Sequence, residues 1–444
     1  MAPSKPFTAI IIGGSVAGLT LAHTFARANI DYVLLEARDS LAPQLGAGIV
    51  IMPNGCRILD QMDLLETMKE FMTPMALYYR RKRSGEEMGV ADWPLRVSKR
   101  LGYPCGISER QMFLGSMYEQ LKDKSKILLR KKVVKFEHGD ESVTVHCEDG
   151  SSFQGDLVIG ADGVHSKTRA EMQRIGNEKE PGIMDRDLNR ISAGYNAIYG
   201  ISPAHETLNP GDSHVASDID HSSLAFVSNH GITQWFFFSK LDRNYKGSSI
   251  PRFTREEMEA QVEKHKDFHF TEKVTLGDLM KTTTSLGHVA LEEANHEHWS
   301  YGRIVCVGDA IHKMTPNMGQ GGNQAIESSA TLTNLLHALL AKHPKPKTAD
   351  LKPVLQEYQD QRLARTHLMI RLSGLMTRDQ SLANLNYTLR FLYFPQPSSE
   401  LFTEINTELF TSGPYLEFLP KPQVTIGNQY WEKDEQGTDG VRAR

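Results

Sequence analysis

The chain has 444 residues, of which 40% are hydrophobic and 23% charged, and its formal net charge is −4. This length predicts two or three domains, and the composition excludes wholesale disorder. Basic tracts are confined to Arg80 to Arg83 and Arg130 to Lys132, too little for a nucleic-acid footprint. Cys56, Cys105, Cys147 and Cys306 never reach C-x-x-C spacing, which argues against a disulfide framework or zinc module and suits a reducing compartment.

In chain order, Ala9 to Ile12 reads as a short strand covered on both faces, and Gly13-Gly14-Ser15 as a tight turn. Val16, Leu19, Ala22 and Phe25 follow at helical spacing, and Tyr32 to Leu35 is a second strand ending in Glu36. Phe7 to Ala26 lacks Asp, Glu, Lys and Arg and imitates a signal peptide or anchor, but Gly13, Gly14 and Gly18 interrupt it. No other stretch approaches ~18 apolar residues, so no spanning segment is expected. Leu157 to Ile159 runs into Gly160-Ala161-Asp162-Gly163, and Ile304 to Val307 into Gly308-Asp309, as strands do when they end at a ligand crevice.

Between them, Ile191 to Ser202, Ser222 to Asn229 and Ile232 to Leu241 predict an inserted, mostly antiparallel sheet. Its run Trp235-Phe236-Phe237-Phe238 reads either as core or as the lining of an apolar pocket. Arg255 to Lys273 predicts a charged, solvated helix. A helix is expected from Asn323 onwards, with Ala325, Ser329, Leu332, Leu336 and Leu339 on one stripe. Pro344, Pro346 and Pro353 predict a loop, Leu355 to Met369 a polar helix, and Asp434 to Arg444 a polar tail.

Three motifs carry chemistry. Gly13-Gly14-Ser15-Val16-Ala17-Gly18 occupies the G-x-G-x-x-G position, where backbone N–H groups and a helix N-terminus meet a pyrophosphate, with Ser15 in place of the second glycine. Glu36, 18 residues past Gly18, offers a carboxylate to both hydroxyls of an adenosine ribose and repels a 2′-phosphate, which suits FAD or NAD and disfavours NADP. Gly160 to Arg169 is either a second cofactor turn or a plain strand-to-helix turn capped by Ser166. In Gly308 to Ala325, Asp309 can accept from a polyol hydroxyl, while Gly319 to Gly322 lets backbone lie flat against a planar ring and presents N–H donors. No second G-x-G-x-x-G unit appears, so a nicotinamide cofactor has no domain of its own. No ligand is spaced to join His312, and no metal site is expected.

Taken together over residues 13 to 325, these elements resemble the FAD-dependent aromatic-hydroxylase family, the single-component class A flavoprotein monooxygenases. Ala47-Gly48-Ile49, Ser108-Glu109-Arg110 and Trp299 with Gly302-Arg303 fit the same pattern. Gly194 to Ile201 is similar to the fungal natural-product branch that epoxidises prenyl or indole-terpene intermediates.

The resemblance implies an α/β fold: a Rossmann-like FAD-binding domain with a parallel sheet (1–186 and 299–375), an inserted β-sheet substrate domain (187–298), and a C-terminal helical extension with a polar tail (376–444). It implies that Gly13, Gly18 and Glu36 hold the ADP half of FAD, that Ala47 and Gly48 lie near the flavin, and that Arg110 contacts the cofactor. Asp162 and Gly163 belong to a turn implicated in FAD and NAD(P)H binding. The resemblance further implies that Asp309 binds the ribityl or pyrophosphate and that Pro316 to Gly322, with Gly321 and Gly322, border the isoalloxazine.

Tyr195 matches an active-site tyrosine that orients substrate or peroxide; its residue type alone fits a sheet tyrosine equally well. The implied reaction uses NAD(P)H as a transient reductant and O₂, and passes through a C4a-hydroperoxyflavin. It epoxidises or hydroxylates an electron-rich prenylated, indole or terpenoid intermediate of secondary metabolism. The alternatives are a hydroxylase of a small, salicylate-like aromatic acid and a non-oxygenating flavoprotein. A cytoplasmic monomer or homodimer, free or peripheral to a membrane, is expected, with an apolar small molecule and no nucleic acid as partner.

Overall fold

A computed structural model describes residues 6–43, 48–393 and 399–422. Its first layer is a sheet in the order Ser300–Tyr301, Ile304–Cys306, Leu157–Gly160, Thr8–Ile12, Asp31–Leu35, Ile127–Leu128, parallel except at the Ser300–Tyr301 edge. Ile10 and Ile11 are fully buried, as an uninterrupted apolar strand demands when helices cover both faces. The register sets Ile12 beside Leu35 and Gly160, and Gly160 beside Cys306. The turns that begin at Gly13, Glu36, Ala161 and Val307 therefore leave the sheet along one edge. This register brings the three motifs together.

The second layer is an eight-stranded sheet running from His312–Lys313 through Ser285–Asn295, Ser192–Pro203, Ile232–Lys246, His221–Val227 and Ser213–Asp218 to the hairpin Tyr78–Lys82 and Glu87–Ala91. Alternation along Ile232–Lys246 divides the aromatic run. Trp235 and Phe237 face outward into a core with Phe268, Phe270 and the helices Arg255–His265 and Leu276–Thr282. Gln234, Phe236 and Phe238 take the inner face, where Phe238 joins the main core. Core packing thus accounts for Trp235, Phe237 and Phe238, and Phe236 packs partly buried against the main core from the inner face.

Four sequence expectations differ in detail. The hairpin Tyr78–Ala91, expected within the 1–186 part, pairs through Tyr78–Lys82 with Ser213–Asp218 and belongs to the second sheet. The helix expected from Asn323 begins at Gln320, because Gly319 at φ 63° supplies the left-handed turn that starts it. Pro353 lies inside one long helix, Thr348–Gln380, where it forgoes a single hydrogen bond near the start, and the helix crosses the division drawn at 375. The charged run forms a helix only over Arg255–His265, burying Met258 and Val262 beneath its charges. Beyond 380, helices Leu385–Tyr393 and Ser399–Thr411 follow. The second meets helix Trp93–Leu101 through Arg96–Glu400 (2.9 Å) and Arg100–Glu404 (2.7 Å). The four cysteines are unbridged and buried. Among the described residues no helix is long and apolar enough to cross a membrane.

Candidate cofactor and substrate site

Gly13 has φ 101°, and a Cβ there would fall 2.9 Å from the Asp162 Cα. A glycine is therefore required both by its dihedral and by the closeness of the second motif. At Gly18 a Cβ would run into the Gly13 carbonyl oxygen, so helix Val16–Arg27 can follow the turn at once. No side chain caps that helix and no acidic residue occupies its first turn, which leaves its N-terminal N–H groups for an anion.

Glu36 is 7% exposed. Its two oxygens accept from the Gly14 N–H (2.7 Å) and the Arg38 N–H (2.9 Å), which fixes the carboxylate at the mouth of the turn. Ser15, the departure from the glycine pattern, has a partner of its own: its Oγ accepts from Arg110 Nη2 at 2.7 Å. Glu36→Arg is expected to weaken FAD binding at least tenfold, through loss of the ribose acceptor and of the Gly14 partner. Fluorescence titration of the apoprotein with FAD reads this, and unchanged affinity would reject the ribose role.

At the second motif the turn caps its own helix. Asp162 accepts from Ser166 Oγ (2.5 Å) and from Thr168 N (2.9 Å) and Oγ1 (3.0 Å), and Ser166 Oγ caps the Arg169 N–H (2.9 Å). Burial pushes the Asp162 carboxyl above its ordinary value, against these hydrogen bonds. The side chain thus serves its own helix, Lys167–Lys179, while backbone of Ala161 and Asp162 lies against Gly13. Gly163, at φ 79°, has open space where a Cβ would stand.

Arg169 joins this turn to the third motif, donating to Val164 O (2.8 Å) and Ala310 O (2.6 Å). Asp309 accepts from Lys313 (2.6 Å) and lies within electrostatic reach of Arg110. Pro316–Met318 is a single tight turn before Gly319, and Gly321 borders open space. Asn323 clamps this loop to strand Gly48–Ile51. It accepts from Met52 N (3.0 Å) and donates to Val50 O (3.0 Å) and Gly319 O (2.7 Å). A Cβ on Gly322 would stand 3.0 Å from Ile49. Gly48 packs against Gln234 of the second sheet, and Ala47 lies outside the described residues.

Tyr195 is buried on the inner face of the second sheet. Its hydroxyl accepts from Ser381 Oγ (3.1 Å), and the Arg378 guanidinium lies 5.9 Å from its ring centre. Burial raises its pKa, so the phenol is neutral. Tyr199, further along the same strand, is the tyrosine within electrostatic reach of Arg110. Asn317 ties the glycine loop to the same end of helix Thr348–Gln380, donating to Gln380 Oε1 (2.6 Å), while Gln380 donates to the Tyr78 hydroxyl (3.3 Å).

Asn323, Arg169 and Gln234 escaped the sequence reading. Arg169 and Asn323 lie inside the glycine-rich segments, but their clamping contacts act across more than 100 positions, and Gln234 acts through sheet register.

An uncapped helix start, a seated carboxylate, bare glycine backbone and the partly buried Arg110 guanidinium lie along the edge where the turns leave the first sheet. These residues fit FAD. A family model described as FAD binding domain matches residues 7–373, and the chain belongs to this family as an FAD-dependent monooxygenase.

It is 39% identical over 422 residues to FAD-dependent monooxygenase olcE of Penicillium canescens, covering 94% of this chain and 90% of that one. It is 35% identical over 438 residues to FAD-dependent monooxygenase cdmI of Talaromyces verruculosus, covering 98% and 91%. In fold it is similar to Klebsiella pneumoniae HpxO complexed with FAD and uric acid, with a TM-score of 0.74 and 22% identity over 92% of this chain and 97% of that one.

Proposed function

We propose that the protein uses NAD(P)H and O₂ to epoxidise or hydroxylate an electron-rich prenylated, indole or terpenoid intermediate of secondary metabolism. The observation that carries this reading is the inner face of the second sheet. Val215, Leu224, Phe236 and Phe238 share one side of adjacent strands, and the Phe236 and Phe238 rings are parallel at 5.9 Å. Val215, Leu224 and Phe238 pack in the main core and Phe236 stands partly buried beside them, a dry apolar wall that suits an apolar ligand and keeps water from the reacting atoms.

In this reading Gly13, Gly18 and Glu36 hold the adenosine end of FAD, with Arg110, Gly163 and Asp309 along its middle and Gly48, Pro316, Gly321 and Gly322 beside the ring. Bound FAD supplies hydride acceptance from NAD(P)H and the activation of O₂ for transfer of one oxygen atom. The Tyr195 hydroxyl, kept protonated by burial and fixed by Ser381, orients the substrate.

The test follows O₂ and NAD(P)H consumption by the yellow, FAD-loaded protein with a farnesylated hydroquinone and with salicylate. The farnesylated compound is expected to stimulate consumption, and Tyr195→Phe to lower kcat about tenfold or more at unchanged FAD content. Stimulation by salicylate alone would replace this reading with the small-acid hydroxylase. Bound FAD without O₂ consumption in either case would leave a non-oxygenating flavoprotein.

A further inference from the structure

Gln234 stands on the inner face of the second sheet at the point nearest strand Gly48–Ile51. It is 0% exposed, and both ends of its amide, Oε1 and Nε2, are buried without a hydrogen-bond partner. Its strand pairs on both sides, with Ile201 on one and Phe226 on the other, so the backbone neighbours are already engaged in the ladder. The amide head lies against Gly48, where any Cβ would run into Oε1. The absence of a side chain at Gly48 thus gives the Gln234 head its place against strand Gly48–Ile51.

A leucine or methionine would fill this position without leaving polar atoms unpaired, so an amide here costs stability unless something else meets it. Hydroxyls of Ser223 and Thr233 on the outer face, and of Ser213 and Ser222 on the inner face, are also unpaired. They are short rotors among core atoms, whereas Gln234 extends a fixed donor and acceptor pair to the cofactor-side strand. Beside it on the same face stand Ile201 and Phe226, with Phe236 two residues on.

We propose that Gln234 is the polar anchor of the substrate pocket. Its amide bonds a ring hydroxyl or enolic oxygen of an otherwise apolar substrate, and so sets which carbon faces the cofactor. The assignment rests on the reading of the substrate as a prenylated, electron-rich ring, and it adds the group by which that ring is recognised. An amide can accept from the hydroxyl proton through Oε1 and donate to its oxygen through Nε2, so a free phenol satisfies it and an aryl ether only half does.

The experiment titrates FAD-loaded protein with 2-farnesylhydroquinone and with its dimethyl ether, following the flavin absorbance difference spectrum. The wild-type protein is expected to bind the free phenol about tenfold or more tightly than the ether. Gln234→Leu and Gln234→Met are expected to bind the two alike, with FAD content and the resting flavin spectrum unchanged. Two apolar replacements of different shape are used so that a misfolded variant does not remove the comparison, and the wild-type pair stands without either.

Equal binding of both probes by the wild type, or retained discrimination in a folded variant, would overturn the assignment and leave the prenylated-ring reading intact. Loss of FAD from both variants would overturn it in favour of a cofactor contact. Binding of neither probe by FAD-loaded wild type would overturn both the assignment and the reading beneath it.

Discussion

Glu327→Ala is expected to destabilise the protein by about 3–5 kcal/mol, the cost of leaving buried guanidinium groups without their counter-ion. Glu327 is 0% exposed. It accepts from Arg362 Nη1, from Arg365 Nε and from Arg365 Nη2, each at 2.7 Å, and from Asn54 Nδ2 at 2.6 Å. Burial alone would raise its pKa, but Arg365 and Arg362 outweigh that and hold it down to about 2.

The cluster reaches the cofactor loop in two further bonds. Arg362 donates to Gln324 Oε1 (2.6 Å), and Gln324 donates to Oε1 of Gln320 (3.1 Å), the first residue of the helix after Gly319. On its other side Arg365 holds Leu409 O (2.8 Å) and Ser412 Oγ (2.6 Å) at the end of the last described helix. Removing one carboxylate therefore loosens four segments at once. Thermal denaturation should show a midpoint lowered by about 5 °C or more. Glu327→Gln, which keeps two acceptor directions but no charge, should fall between the variant and the wild type. A midpoint within 1 °C of wild type for Glu327→Ala would show that the cluster contributes little.

The parts of this site that could be read directly were those in which backbone geometry restricts residue choice. Gly13 and Glu36 are of this kind: one needs φ 101° with no Cβ beside Asp162, the other must follow a parallel strand at a set distance. The same logic placed Asp162 near the crevice but did not show that its carboxylate turns back to Ser166 and Thr168, because both uses demand the same residue in the same turn. The β-rich texture around Trp235 to Phe238 announced a sheet. It could not say which alternate residues face the cofactor, because that depends on strand pairing with Leu224 and Tyr199.

Pro353 misled because a proline near a helix start loses only one hydrogen bond, and packing along 33 residues outweighs it. Tyr195 was singled out through family resemblance, and its residue type alone left it an ordinary sheet tyrosine. The cluster around Glu327 was invisible for a different reason: Glu327, Arg362 and Arg365 read as the polar side of two helices, and only their packing against each other makes those charges internal.

The thermal midpoint should also fall steeply as the pH drops from 6.5 to 4, and stay nearly level from 7 to 8. Burial is the leading cause of low pKa values at five histidines, about 4 for His23, His265, His288 and His312 and about 3 for His214, all from 6.5. Between the folded and unfolded values the unfolded chain binds more protons, so stability rises with pH through that window and is constant above it. His312 carries the clearest share. It is wholly buried, its Nε2 meets Ser328 Oγ at 2.9 Å, and protonation would set a second cation beside Arg362. A shift from 6.5 to about 4 corresponds to about 3 kcal/mol for this residue alone.

At His23, Nε2 already donates to the Met117 carbonyl (2.7 Å) and Arg27 lies on the opposite side, so a charged ring there gains no anion. Below pH 4.5 the Glu327 carboxylate adds its own loss with the same sign, down to about 2. The raised carboxyls of Asp162 and Asp212 work in the opposite direction, gaining stability as the pH falls, but the lowered histidines and carboxylates outnumber them. Circular dichroism melts at half-unit intervals between pH 4 and 8 measure the slope, and a midpoint that does not change from pH 7 to 5 would contradict burial of these histidines as neutral rings.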